Sequence, residues 1–252
     1  MTTLFDCALG DVLLSSLDER ICILDIQEEA PALQHHFLSL HGGERRLLSS
    51  RREKLTVQVR FSIHEENPAR RSEALCAVRA WAAKGGILTV SHRPGQRLPV
   101  ICAAQPATSV NDWAETLTLS FESSVSPYWE DVESTSVSAS DVMTLTLPGT
   151  ADSAPVDVLV FNTTGKAVTT LKLHCGETEM FFEGITLPAG GMFTLIQSGG
   201  FAVALIGNQS VLGCRTAGSD DLLLAPCGRS CTVYASASQP LQASFSARGR
   251  YL

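Results

Sequence analysis

The clearest pattern along the chain occupies residues 55–64, where Leu55, Val57, Val59, Phe61 and Ile63 are apolar and the residues between them polar. This period of two predicts a strand with one buried and one wet face, and the three- and four-residue spacings of a helix are not met. The period then changes. Asn67 and Pro68 mark a helix start, Leu75, Val78, Trp81 and Ala82 recur at helical spacing, and Gly85-Gly86 ends the run. Residues 87–90 predict a further strand leading into Arg93-Pro94-Gly95. Trp81 lies on the apolar stripe of the helix and is expected in the core, not as a ligand platform.

The same reading extends to either side. Residues 20–26 form a strand pattern ended by Pro31, and residues 35–40 are a strand candidate followed by a turn at His41-Gly42-Gly43. Residues 98–103 and the alternating run 113–121 complete a mainly antiparallel β domain with one helix across it, expected over residues 1–130. Residues 131–141 are acidic, rich in Ser and Thr and poor in large apolar side chains, so they read as a linker. Beyond them nothing looks helical. Eight short apolar or alternating runs, separated by turn dipeptides such as Thr164-Gly165, Gly199-Gly200 and Gly218-Ser219, predict a β-sandwich or jelly roll over residues 142–252.

Composition narrows the function classes. A chain of 252 residues can bury two cores without covalent staples. The net charge is −7 and its signs are mixed: residues 1–130 hold 13 Lys+Arg and 16 Asp+Glu, leaving 6 and 10 for the rest. No basic stripe of a nucleic-acid binder results. No leader pattern and no apolar run near the ~18 residues of a spanning helix is present, so a soluble protein made in the cytoplasm, with no membrane partner, is expected. The most basic stretch, residues 44–54, interleaves its arginines with acids and leucines and reads as a solvated loop or ion-pairing arm.

Candidate chemistry is sparse. Most of the eight cysteines lie in apolar runs, where a free thiol behaves as a small hydrophobe. Cys227 and Cys231, with His174-Cys175, come nearest to a metal set but lack the usual second close pair. Nucleophile elbow, phosphate loop and metal-helix motifs are missing. His64-Glu65-Glu66 reads as capping, and Asp220-Asp221 supplies too few oxygens for calcium. No catalytic, cofactor-binding or metal residue is expected, and no enzyme.

The order of elements resembles a known family. Arg51-Arg52-Glu53-Lys54-Leu55-Thr56-Val57, the helix with Leu75 and Trp81, Gly86-Ile87-Leu88-Thr89-Val90, His92-Arg93-Pro94-Gly95, Phe121-Glu122-Ser123 and Pro127-Tyr128-Trp129 together look like the first domain of distal tail (Dit-like) proteins of long-tailed, siphovirus-type bacteriophages. The likeness covers residues 10–130; the high cysteine content and the Arg45-Arg46 pair depart from it. It implies an N-terminal split β-barrel-like domain followed by a galectin-like β-sandwich. It also implies a structural protein of the virion tail tip, made in the host cytoplasm. Six copies would form a ring hub between the tail tube protein and a hub or tail-associated protein, with DNA passing through unbound. The sandwiches would project outward toward receptor-binding or side-fibre proteins.

For the ring interface, Arg45, Arg46, Arg51 and Arg52 are expected to meet Asp25, Glu28 and Glu29 across neighbours. Val57, Val59 and Phe61 of the long strand are expected to contribute to the same belt. The competing expectation is a carbohydrate- or receptor-binding sandwich with Tyr234 and Tyr251 as its aromatic groups; a scattered-site enzyme is the third.

Overall fold

The computed structural model describes residues 5–39, 44–106 and 116–252. The chain divides into two compact units, Met1–Trp129 and Glu130–Leu252. The first contains β1 (Cys7–Leu9), β2 (Val12–Leu13), β3 (Ile21–Glu29), β4 (Leu33–Ser39), β5 (Arg45–Arg52), β6 (Thr56–Ile63), α1 (Pro68–Ala83), β7 (Gly86–Val90), β8 (Gln96–Ala104) and β9 (Thr116–Ser123). Seven of these strands form an antiparallel sheet in the order β2-β1-β7-β8-β9-β6-β3, which stays open where a barrel would close. The turn expected at residues 41–43 and the first part of the strand expected at 113–121 lie outside the described residues.

The long alternating stretch becomes β6, and its apolar positions Val57, Val59 and Phe61 are fully buried. β3 pairs with one of its edges and β9 with the other, so every second side chain goes to the core and both backbone edges are satisfied. Just beyond β6, Asn67 caps α1: its side chain accepts hydrogen bonds from Ala69 N at 2.9 Å and Arg70 N at 3.4 Å, with Pro68 at the first helical position. Leu75, Val78, Trp81 and Ala82 are buried against the sheet. Trp81 packs edge-on to Phe121, with ring centroids 6.0 Å apart, and donates its indole N–H to Val12 O at 3.0 Å. Gly85 ends the helix at φ +58°, where a Cβ would lie 2.9 Å from the carbonyl oxygen of Val100.

The basic stretch expected as a loop is strand β5. It pairs only with β4, from Leu33↔Arg52 to Ser39↔Arg45, with a bulge at Leu48. The sequence Arg-Arg-Leu-Leu-Ser-Ser-Arg-Arg shows no period of two because this hairpin is exposed on both faces, so no burial imposes alternation.

β10 (Trp129–Asp131) runs across the division of the chain. The second unit contains β11 (Thr135–Ala139), β12 (Met143–Leu147), β13 (Ser153–Pro155), β14 (Asp157–Phe161), β15 (Val168–Cys175), β16 (Thr178–Leu187), β17 (Met192–Ser198), β18 (Phe201–Ile206), β19 (Gln209–Ser210), β20 (Leu224–Pro226), β21 (Arg229–Ala237), β22 (Gln242–Ala247) and β23 (Arg250–Tyr251). A sheet ordered β11-β22-β14-β17-β18-β19 faces one ordered β12-β21-β15-β16. Phe182 of the second meets Phe193 of the first edge-on, centroids 5.2 Å apart, in a core that also holds Leu145, Val160, Leu173, Leu195 and Phe245. Part of the expected linker is β11, paired with β22 from Thr135↔Ala247 to Ala139↔Ala243. Its alternating Ser and Thr make an edge strand that reads, by composition, as a spacer.

All three tryptophans belong to residues 1–129. Replacing Phe61 by Ala leaves a cavity beneath β6 and is expected to lower that unit's unfolding free energy by about 3–5 kcal/mol in urea titrations read at the tryptophans.

Candidate functional site

Among the described residues, four arginines and five exposed apolar side chains gather on the β4–β5 hairpin. Cross-strand partners share a face. Leu33, Phe37 and Leu47 therefore lie with Arg45 and Arg52, while Leu38 lies with Arg46 and Arg51. Leu33, Phe37, Leu38, Leu47 and Leu48 are all exposed, Leu48 by 61%. Arg45, Arg46 and Arg51 are exposed and Arg52 half-buried, and none of the four makes an ion pair among the described residues. Outside its own pairing the hairpin belongs to no sheet. A two-stranded ribbon of this kind is at best marginally stable in water. Its two backbone edges stay open and its guanidinium groups stand in water.

The remaining expected interface residues are placed elsewhere. Val57, Val59 and Phe61 pack the interior of the first unit and present no surface to a neighbour. The belt role expected of β6 is not available to it, because both of its edges are taken. Asp25 and Glu29 stay at the surface, hydrogen-bonded to the side-chain amides of Gln27 and Gln58 at 2.7 Å each. Glu28 is committed within the unit. Its carboxylate accepts from Arg93 at 2.8 Å, His92 Nε2 at 2.7 Å and the buried Trp129 Nε1 at 3.0 Å, and the Arg93 guanidinium lies 5.4 Å from the Trp129 ring centroid. Burial opposes ionisation of Glu28, but the hydrogen bonds from Arg93, His92 and Trp129 outweigh it and hold its carboxyl below the ordinary glutamate value. The turn that carries Arg93 is thus fastened to the far end of β3.

Other suggestive residues have structural partners. Glu65 accepts from Asn67 N at 2.9 Å and pairs with Arg20 at 3.0 Å, completing the helix start. Asp220 accepts from Glu179 N, and Asp221 pairs with Arg215 at 2.6 Å. His174 and Tyr234 stack on each other with centroids 4.6 Å apart, so each ring covers one face of its neighbour. Among the described residues no group of three or more His, Cys, Asp or Glu side chains is arranged to hold a metal.

A second surface lies on the outer face of the six-stranded sheet. Leu159, Phe161, Met192, Ile196, Phe201 and Val203 are all exposed, Phe201 by 78%. The register sets Phe161 beside Met192, Leu159 and Leu205 on either side of Thr194, and Ile196 beside Val203, so the patch is continuous over three strands. These side chains leave a contiguous apolar face bare. Its signal in the sequence is the run of consecutive apolar residues in Val-Leu-Val-Phe at 158–161 and Phe-Ala-Val-Ala-Leu-Ile at 201–206, which clothes both faces of a strand.

The architecture is Dit-like: two β-rich units in series, the first bearing one helix and a projecting hairpin. Within that class, the structure is similar to SPP1 Dit, described as a paradigm of the hub adsorption apparatus of phages infecting Gram-positive bacteria. The TM-score is 0.69 at 10% identity, covering 97% of this chain and 98% of that one. Two structures of the phage P2 baseplate in its activated conformation, with Ca and with Sr, match with TM-scores of 0.47 and 0.46, each at 6% identity and covering 97% of both chains. No protein-family model and no curated protein sequence matches.

Because the folded Glu28 titrates below its unfolded value, its stabilisation is present above the ordinary glutamate pKa and is lost as pH falls through the folded one. Glu28→Gln is therefore expected to cost about 1–3 kcal/mol at neutral pH. The gap from the unsubstituted protein should shrink below about pH 4 in urea titrations followed by tryptophan fluorescence.

Proposed function

We infer that this chain is a structural component of a phage tail, a hub protein that works by assembly and not by catalysis. The observation that carries the reading is the correspondence of fold with SPP1 Dit along nearly the whole of both chains. The finer reading is a ring of six copies at the tail tip, made in the host cytoplasm. It joins the tail tube protein on one side and a hub or tail-associated protein on the other, around a channel through which DNA passes without specific binding.

Three features support it. The β4–β5 arm brings unpaired arginines, exposed leucines and two open strand edges, the ingredients of a heterologous contact that closes into a ring. Asp25 and Glu29 offer surface carboxylates in the same unit to receive those arginines. In the second unit, the apolar sheet face supplies a place for a further tail component, of the receptor-binding or side-fibre kind.

Negative-stain electron microscopy of the purified chain is expected to show six-fold rings, with a matching mass by light scattering. Reversing Arg45, Arg46, Arg51 and Arg52 to glutamate should weaken ring assembly roughly a hundredfold. Raising the salt concentration should weaken assembly of the unsubstituted chain in the same direction. A monomer at all concentrations, or rings of unchanged stability in the reversed variant, would overturn the reading.

A further inference from the structure

The fold brings two cysteines 56 residues apart in the chain, Cys175 and Cys231, to an Sγ–Sγ separation of 4.0 Å. Both thiols are free. Cys175 ends β15 and Cys231 lies near the start of β21, its neighbour in the four-stranded sheet. The register sets Cys175 opposite Val233, two residues along from Cys231 on the same side of the strand, and Gly176 N donates to Thr232 O at 2.9 Å where the ladder ends. Both sulfurs therefore face the same layer. Their exposures differ in a useful way. Cys175 is fully buried, whereas Cys231 is half-buried and lines a recess of about 660 Å³ with Gly176, Thr178, Pro226, Arg229 and Thr232. No other pair of cysteine sulfurs comes within contact distance among the described residues.

We propose that Cys175 and Cys231 are a dithiol site that takes a small disulfide oxidant through this recess and closes to a cross-strand disulfide. In the first step the Cys231 thiolate attacks one sulfur of oxidised glutathione, forming a mixed disulfide and expelling a glutathione thiolate, which takes up the proton Cys231 has lost. In the second, the Cys175 thiolate attacks the Cys231 sulfur, displacing a second glutathione thiolate that is protonated in turn. Two thiols are oxidised and one disulfide is reduced to two thiols. Closure carries the two sulfurs from 4.0 Å to bonding distance. Burial pushes both thiols above the ordinary cysteine value, so closure is slow at neutral pH and quickens in base. Once closed, the link ties β15 to β21 across a long loop and restricts the unfolded chain.

The site itself is independent of the tail-hub reading. Its use does rest on that reading: a virion protein is assembled in a reducing cytoplasm and released into an oxidising exterior, where the link would form. The test is incubation of the folded full-length chain with oxidised glutathione at about pH 8, alkylation of remaining thiols, then thiol counting and peptide mapping without reduction. Two of the eight thiols are expected to be lost, in a single peptide pair joining Cys175 to Cys231. Cys231→Ser, at the half-exposed position, should abolish the link. Cys175→Ala should arrest the reaction with one glutathione on Cys231. A link between Cys227 and Cys231, or glutathione adducts with no 175–231 link in the unsubstituted chain, overturns the proposal and leaves ring formation, read by microscopy, untouched.

Discussion

The constraint on which the first unit depends is that every strand edge must find a hydrogen-bonding partner. β6 meets it completely, held between β3 and β9, and that enclosure is what allows Val57, Val59 and Phe61 to leave water. The helix then has a closed apolar surface to lie on, and Trp81 can reach both Phe121 and the Val12 carbonyl. The β4–β5 arm is built from the same backbone groups with neither flank covered. One requirement, met in one place and open in the other, separates the enclosed strand from the two-stranded arm.

Charge is handled along the same line. Where a carboxylate is half-buried, as at Glu28, three donors converge on it, because an unpaired ion there would be costly. Where arginines have no partner, they stand on the arm in water, where the cost is small and the charge remains available for a contact. The buried polar side chains of the second unit follow the first rule. Gln197 spans the backbone of Val156 and Leu223, and Asn162 donates to Lys166, Leu187 and Pro188, so both of these side-chain amides reach backbone carbonyls.

The chain combines few chemical motifs with broad exposed apolar surfaces. Exposed apolar side chains on the arm and on the sheet of β14, β17 and β18 are unfavourable in an isolated monomer and favourable once covered. At 10% identity, the likeness to SPP1 Dit is held by pairing order and layer packing, which many apolar sequences satisfy, and not by particular side chains.

Much of this was legible in local patterns. The alternation at residues 55–64, the Asn67-Pro68 helix start and most strands of the second half follow from short-range rules, because one-sided burial writes its period directly into the residues. Where that burial is missing, the pattern fails: β5 has no alternation because water lies on both its faces, and β11 carries small polar residues at a sheet edge. The pairing of Glu28 with Arg93 joins residues 65 positions apart, and the approach of Cys175 to Cys231 depends on which strands become neighbours. Whether Val57 faced a neighbouring subunit or its own core was equally undecided in one dimension, since a buried face looks the same whichever partner buries it. Strand order chose the core, because β3 and β9 take both edges of β6 and leave its apolar face to the interior.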